Sequence, residues 1–417
     1  MSKSLSKPRT GLVAALDIGT TKVACFIARI DHGVPRVVGI GHQVSRGLRS
    51  GAIVDMEAAE ESILNAVHAA EKMANETVRQ VVVNVSGGHP ASHTIGVEVA
   101  LGGQEIGERD VRRVLSQGRT QQEPEDRQLI HSIPIGFSID GSRGIKDPRG
   151  MFGQRLGADI HVVSAQAGVL RNLTTVVQRC HLDIEALVVS PYASGLAALV
   201  EDEMELGVTV IDMGGGTTTV AVFFEGQVVF TDMVPIGGAH VTSDIARGLT
   251  TPLAEAERMK TLYGSAISSP LDDREVIDVP LVGEDRHTSP NHVPKSFLVS
   301  IIQPRLEETF EHVRSRLEIS GFDKLAGRRV VLTGGASQLP GVRDMAQLVL
   351  DKQVRMGRPI RVHGLADSTG GPAFATCAGL LTYAVNEQID AALLKRGDTE
   401  APEGLMGRIG SWLRENF

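Results

Sequence analysis

Residues 11–23 read GLVAALDIGTTKV and residues 207–220 read GVTVIDMGGGTTTV. Each stretch is an apolar run that ends in an aspartate, Asp17 or Asp212, followed by a glycine turn carrying threonines. A second apolar run then returns, ACFIARI in the first copy and AVFFEGQVVF in the second. Alternating Val, Ala and Ile predict strands on both sides of each turn, so each copy reads as a β-hairpin. The two copies lie nearly two hundred residues apart, and internal similarity over that separation predicts a duplication in which each hairpin founds its own α/β lobe. A third glycine turn follows a third buried strand at Arg329–Gln338, RVVLTGGASQ. Between them run helical segments such as Asp55–Asn75, where Asp55 can cap the N-terminus and Ile63, Val67, Ala70 and Ala74 recur at helical spacing. The pattern predicts an α/β protein with two related lobes and a cleft lined from both.

The totals agree with that division. A chain of 417 residues, 42% hydrophobic, can fill two cores, since single cores stop growing beyond roughly 250 residues. A formal charge of -8 supplies no basic field for a phosphate backbone, which argues against nucleic acid as a partner. Cys25, Cys180 and Cys377 lie far apart with no C-x-x-C pair, a spacing that suits neither zinc nor a disulfide framework and fits a reducing compartment. Residues 1–10 are polar with no apolar h-region and read as a disordered tail and not as a signal peptide. No run approaches the eighteen or so apolar residues of a spanning helix, so the body is expected to be cytoplasmic.

Glycine turns after strands let backbone N–H groups converge on an anion, because no Cβ stands in the way. Two such turns facing each other can clamp a polyphosphate. The candidate contacts are Gly19, Thr20, Thr21, Gly214, Gly215, Gly216, Thr217 and Thr218, with Gly334, Gly335 and Ala336 from the third turn. Lys22 reads as a mobile cation within reach of a β or γ phosphate. Asp17 and Asp212 beside phosphates make sense only with a cation between, and a hydrated Mg²⁺ held through water suits two carboxylates and phosphate oxygens. A single Gly-Thr or Gly-Gly turn is equally an ordinary hairpin turn; the matched acids of the duplicated pattern favour the nucleotide, ATP. The chain contains no G-x-x-x-x-G-K-[ST] and no G-x-G-x-x-G after a strand, which removes the P-loop and dinucleotide-binding alternatives.

The trio of hairpins and TGG turn resembles the signature of the actin, Hsp70 and sugar kinase superfamily, whose fold is two-lobed and ribonuclease H-like. Ser190–Gly195, SPYASG, is similar to the start of the connecting helix in actin, and Ala375–Tyr383, ATCAGLLTY, has the small residues that a second, crossing helix needs. Within the superfamily, DIGTTKV, DMGGGTT, VLTGGASQLPG and ATCAGLL resemble the FtsA family over nearly the whole chain. That resemblance implies domain 1A at 11–84 and 164–206, domain 1C at 85–163, domain 2A at 207–241 and 303–390, and domain 2B at 242–302. It implies a linker at 391–403 and a membrane-targeting helix at 404–417. Ser268–Pro294 reads as strands and loops. Lys260, in the helix AEAERMKTLYG, matches a Lys or Glu that relatives place near the ribose and adenine; the alternative is a solvated helix face. Actin carries a glutamine four residues before the serine of its matching segment, where this chain has Ala186, whose methyl cannot orient a water. Neighbouring Glu185 substitutes only if the alignment shifts by one, so hydrolysis is expected to be slow or absent and ATP to act as a cleft-closing ligand.

The end of the chain, GLMGRIGSWLRENF, places Leu405, Ile409, Trp412 and Leu413 on one helical face, next to Met406, with Arg408 and Arg414 on the other side. An apolar face with Trp and flanking arginines suits a helix lying in an anionic membrane surface, and the polar stretch KRGDTEAPE before it reads as a linker. The alternative is a helix docked on its own core. The family resemblance further implies self-assembly into filaments, location on the cytoplasmic face of the inner membrane at the division site, later divisome proteins engaged through 1C, and binding of the C-terminal peptide of the tubulin-like FtsZ. For that peptide the matching stretch is Asn291–Phe310, with Asn291, Lys295, Arg305 and Glu308 as the candidate contacts. Asn291 stands where the family carries an arginine. Leu306, Phe310, Val313 and Leu317 predict the buried stripe of that helix, leaving Arg305 and Glu308 outward as an exposed pair. Rival functions are a small-molecule kinase or phosphohydrolase of the same superfamily, a chaperone ATPase and a cell-shape filament of the MreB kind.

Overall fold

The computed structural model describes residues 11–119, 124–283 and 291–385. The chain opens with β1 (Gly11–Ile18), β2 (Lys22–Asp31) and β3 (Val34–Val44), a two-residue hairpin of β4 (Leu48–Arg49) and β5 (Ala52–Ile53), then α1 (Met56–Ala74) and β6 (Gln80–Val85). After β7 (Ala91–Ala100), α2 (Glu108–Arg119), β8 (Arg127–Ile139), β9 (Ser142–Ile145) and β10 (Arg155–Gln166), it returns through α3 (Ala167–Arg179) and β11 (Asp183–Val189). The second half runs α4 (Ser190–Ala198), α5 (Glu201–Leu206), β12 (Val208–Met213), β13 (Thr218–Phe224), β14 (Gln227–Val234), α6 (Gly238–Gly248), α7 (Leu253–Tyr263), β15 (Val276–Val279), β16 (Asn291–Pro294) and α8 (Lys295–Ser320). It closes with β17 (Arg329–Thr333), α9 (Val342–Leu350), β18 (Gln353–Met356) and α10 (Ala375–Val385).

The duplication read from the two hairpins is carried through the whole of both sheets. One sheet has the order β3-β2-β1-β6-β11 and the other β14-β13-β12-β17-β18. In each, a three-strand antiparallel meander is followed by two strands added in parallel beside its first strand. Parallel addition needs a crossover, and a sheet with helices on both faces buries its central strands completely. The near-continuous burial of β1, β2, β12 and β13 follows from that. Helix α1 begins where expected: the Asp55 carboxylate accepts from the N–H groups of Glu57 and Ala58, and Asn75 closes the helix in the left-handed region.

Residues 11–94, 124–130 and 161–385 form one compact unit, which contains both sheets. Residues 95–119 and 131–160 form a second. There, parts of β7, β10, β8 and β9 lie side by side in that order, and α2 buries Val111, Val114 and Leu115. Within the first unit, one continuous core joins β12, β13 and β17 to Ile277, Val279, Leu298 and Ile302. The boundary drawn at 302/303 therefore falls inside a single helix, α8, whose Leu306, Phe310, Val313 and Leu317 are all buried as their spacing predicts. No helix among the described residues is long and apolar enough to cross a membrane. The polar start, the linker and Leu405, Met406, Arg408, Ile409, Trp412, Leu413 and Arg414 lie outside the described residues.

The two halves of the first unit are joined by exchanged helices. Helix α4 follows the first sheet yet packs on β12 and β13, and α10 follows the second sheet yet packs on β1 and β2. They cross where Gly379 meets Ala193; a β carbon at 379 would lie 1.7 Å from the Ala193 carbonyl oxygen. Tyr192 and Tyr383 pack edge to face beside the crossing, with ring centroids 6.0 Å apart. Alanine in a helix interior is ordinarily favoured over glycine by about 1 kcal/mol. Here the overlap with backbone reverses the sign, and Gly379→Ala is expected to lower stability by about 2 kcal/mol or more, read as a lower midpoint of urea unfolding. A midpoint at or above wild type would show that the crossing has room to spare.

Candidate functional site

The cleft is built by two turns of different sequence, GTTK and GGGT, closed by the same hydrogen bond. In the first hairpin the N–H of Gly19 donates to the Lys22 carbonyl at 2.9 Å, and in the second the N–H of Gly214 donates to the Thr217 carbonyl, also at 2.9 Å. Asp17 and Asp212 occupy the same penultimate position of β1 and β12. The turns face each other so closely that a β carbon on Gly216 would lie 2.4 Å from Thr20 Oγ1 and 2.8 Å from the Ser50 Cα. The third turn enters at Gly334, whose φ of +85° suits glycine and whose own β carbon would strike Asp212.

With the exception of Thr218, the residues that the sequence assigned to a phosphate, ribose or cation line one cleft of about 490 Å³. These are Asp17, Gly19, Thr20, Thr21 and Lys22 from the first hairpin and Asp212, Gly214, Gly215, Gly216 and Thr217 from the second. Lys260 and the turn of Gly334, Gly335 and Ala336 complete the set. Lys260 is not on a solvated face. Its ammonium donates to the Gly238 carbonyl at 3.1 Å, to Thr242 Oγ1 at 2.9 Å and to Glu257 Oε2 at 2.7 Å.

Two expectations are corrected. Thr218 does not reach the cleft, because its hydroxyl donates to the Ile236 carbonyl across the next strand pair at 2.8 Å. Lys22 is not mobile: its ammonium donates to the Ala373 carbonyl and sits 3.5 Å from the centre of the Phe374 ring. Several lining residues escaped the sequence reading. Asn84 accepts from the Ile18 N–H and donates to Ser190 Oγ, tying the first hairpin to α4. Its signal was the amide of Asn84 set within the apolar run VVVNV. Thr376 donates to Asp212 Oδ2 at 2.7 Å from the start of α10, and no local pattern marks it. Ala186 and Glu185 are not among the cleft residues.

The electrostatics follow from burial. Desolvation pushes Asp17 up to about 7, opposed by the Lys22 ammonium and reinforced by Asp212. Asp212 is raised for the same reason, against hydrogen bonds from Thr376 and Ser194. Burial lowers Lys22, while Asp17 pulls the other way. Two buried acids share the influence of the Lys22 ammonium, and Lys260 is already paired with Glu257, so the site is short of positive charge. That donor set, with converging glycine amides opposite, fits a polyphosphate whose charge is shared with a hydrated divalent ion.

The residues that the sequence assigned to a peptide partner are partly engaged within the chain. Asn291 is exposed on β16, opposite Val279. Lys295 is already held by Glu275 at 2.8 Å and Asp272 at 3.4 Å. Arg305 does pair with Glu308, but it is half-buried and also binds Asp244 of α6 at 2.5 Å, so it joins two helices and does not stand free.

The raised Asp17 carboxyl has a consequence for stability. Between the unfolded value near 3.8 and about 7 the folded chain holds a proton that the unfolded chain releases, so folding loses free energy as pH rises through that window. In the ligand-free protein, Asp17→Asn is therefore expected to melt several degrees above wild type at pH 8, with the gap closing toward pH 5. Thermal melts at both pH values check it, and a gap that widens on acidification would contradict the burial argument.

Comparison with known proteins gives the lineage. The family model described as "Cell division protein FtsA" matches residues 209–379, and that described as "SHS2 domain inserted in FTSA" matches residues 87–164. The cell division protein FtsA of Rhizobium meliloti (strain 1021) is 46% identical over 429 residues, spanning 100% of this chain and 97% of that protein. That of Escherichia coli (strain K12) is 33% identical over 416 residues, with 97% and 98% covered. Among solved structures, the PilM-PilN type IV pilus biogenesis complex superposes with a TM-score of 0.62 at 18% identity, covering 90% of this chain and 98% of that one. MreB5 of Spiroplasma citri bound to ADP gives 0.54 at 14% identity, covering 94% and 100%. The fold is thus actin-like, and end-to-end identity with these cell division proteins makes the chain a member of the FtsA family.

Proposed function

We propose that the chain binds ATP with Mg²⁺ between its paired hairpins and uses the bound nucleotide to set a lobe arrangement that polymerises on the cytoplasmic face of the inner membrane, tethering the FtsZ ring there. The observation that carries the nucleotide is the convergence of Asp17, Asp212 and three glycine turns on one cleft. The actin-like neighbour MreB5 was solved with ADP, which agrees with this. Gly215, Gly216 and Gly335 present backbone amides to phosphates, Gly19, Gly214 and Gly334 spend theirs on shaping the turns and keep side chains out of the way, Thr20, Thr21 and Thr217 add hydroxyls, and Lys22 adds a cation. Asp17 and Asp212 accept from waters of the metal, whose charge offsets that of the phosphates. Lys260 and Glu257 stand at the wall where a ribose would lie. With no group at Ala186 to orient a water, turnover is slow and ATP acts by closing the cleft.

Family membership supports the cellular role: cell division at the septum, with 1C engaging a neighbouring subunit and later divisome proteins. Asn291, Lys295, Arg305 and Glu308 receive the acidic FtsZ peptide, Arg305 and Lys295 exchanging internal carboxylates for those of the peptide. The terminal segment around Trp412 attaches to anionic lipid. With so few apolar residues a single attachment is marginal and reversible, and joining many in a filament makes it firm.

Mg-ATP at a hundred times its Kd should stabilise the folded chain by about 2.7 kcal/mol, and Asp212→Ala should abolish the shift. In cosedimentation with anionic liposomes, the whole chain is expected to bind more with ATP than without. A chain ending at Glu403 and the Trp412→Glu variant should stay in the supernatant. Equal sedimentation of all three, or of none, would leave a soluble superfamily enzyme as the better reading.

A further inference from the structure

Residues 372–376 touch all three turns of the cleft. The Pro372 carbonyl accepts from the Gly334 N–H at 3.1 Å and from the Thr333 hydroxyl at 3.2 Å. Thr376 donates to Asp212, and Ala373 and Phe374 take the Lys22 ammonium. The Phe374 ring is itself fixed, stacked on fully buried Phe26 at 5.8 Å and 18° between planes, with His42 against it at 5.7 Å.

An ammonium has three donors. Here one goes to the Ala373 carbonyl, the ring face takes the charge, and Lys22 still lines the cleft. Asp17 and Asp212 add attraction at longer range. A free lysine loses most of its rotamer freedom when it clamps a phosphate; one already seated has lost it beforehand, and the ligand meets a charge in place.

We infer that Phe374 is a positioning residue: its rigid ring, with the Ala373 carbonyl, holds Lys22 at the spot where it meets the β or γ phosphate of a nucleoside di- or triphosphate. The inference rests on the nucleotide-binding reading above. It predicts that Phe374 matters to the phosphates and not to the nucleoside. A ring worth what exposed to desolvated cation–π contacts are worth corresponds to about three- to thirty-fold in affinity.

The test is the Kd of the full chain for Mg-ATP, Mg-ADP, AMP and adenosine by calorimetry, in wild type, Phe374→Leu and Phe374→Tyr. Expected is a loss of three-fold or more for ATP and ADP in Phe374→Leu, little change for AMP and adenosine, and recovery in Phe374→Tyr. An equal loss for all four ligands would mean a merely structural ring, and an unchanged or tighter ATP Kd would mean that the seat competes with the ligand; either overturns the inference. Should Phe374→Leu not fold, wild type alone decides. The ring shifts the Lys22 ε-methylene resonance upfield, and that shift should persist with Mg-ATP bound; its disappearance on binding overturns the inference. Failure of wild type to bind any nucleotide would instead remove the functional reading, and this inference with it.

Discussion

At Gly379 the carbonyl of Ala193 fills the space where any other residue would carry a β carbon, and the arrangement of the cleft depends on that approach. Because α4 and α10 can lie backbone to backbone, each can leave its own sheet and pack on the other. The exchange puts Ser190 and Ser194 of one helix, and Thr376 of the other, at the level of the hairpin turns. A bulkier crossing would push the sheets apart and separate Asp17 from Asp212.

What gathers at the turns is a small set of charges held out of water. Two carboxylates resist ionisation there, and one lysine is kept between a carbonyl and an aromatic face. Such a site is unsatisfied by itself, and a ligand that brings both negative phosphates and a divalent cation relieves each part of it. On the proposed reading, the glycine turns would supply the geometry and the buried acids the reason for binding.

The outer surface follows a different logic. On α8 the buried stripe is set by spacing, yet Arg305 and Lys295 are each engaged by carboxylates from other elements. A peptide that docks there would exchange one ion pair for another. The net gain from such exchange is modest at half-exposed positions.

The sequence by itself determined the two hairpins, their acids, the glycine turns, the N-cap of α1 and the buried stripe of α8, because each depends on residues adjacent in the chain or one helical turn apart. The tertiary structure alone decided which polar groups are free. Lys22 is held by a carbonyl 351 residues away, Thr376 reaches Asp212 across 164, and Arg305 reaches Asp244 across 61. Thr218 was misjudged for the same reason, since its acceptor comes from beyond the following strand. Periodicity reports which face a side chain occupies. Whether its donors are already spent depends on partners that only folding brings near.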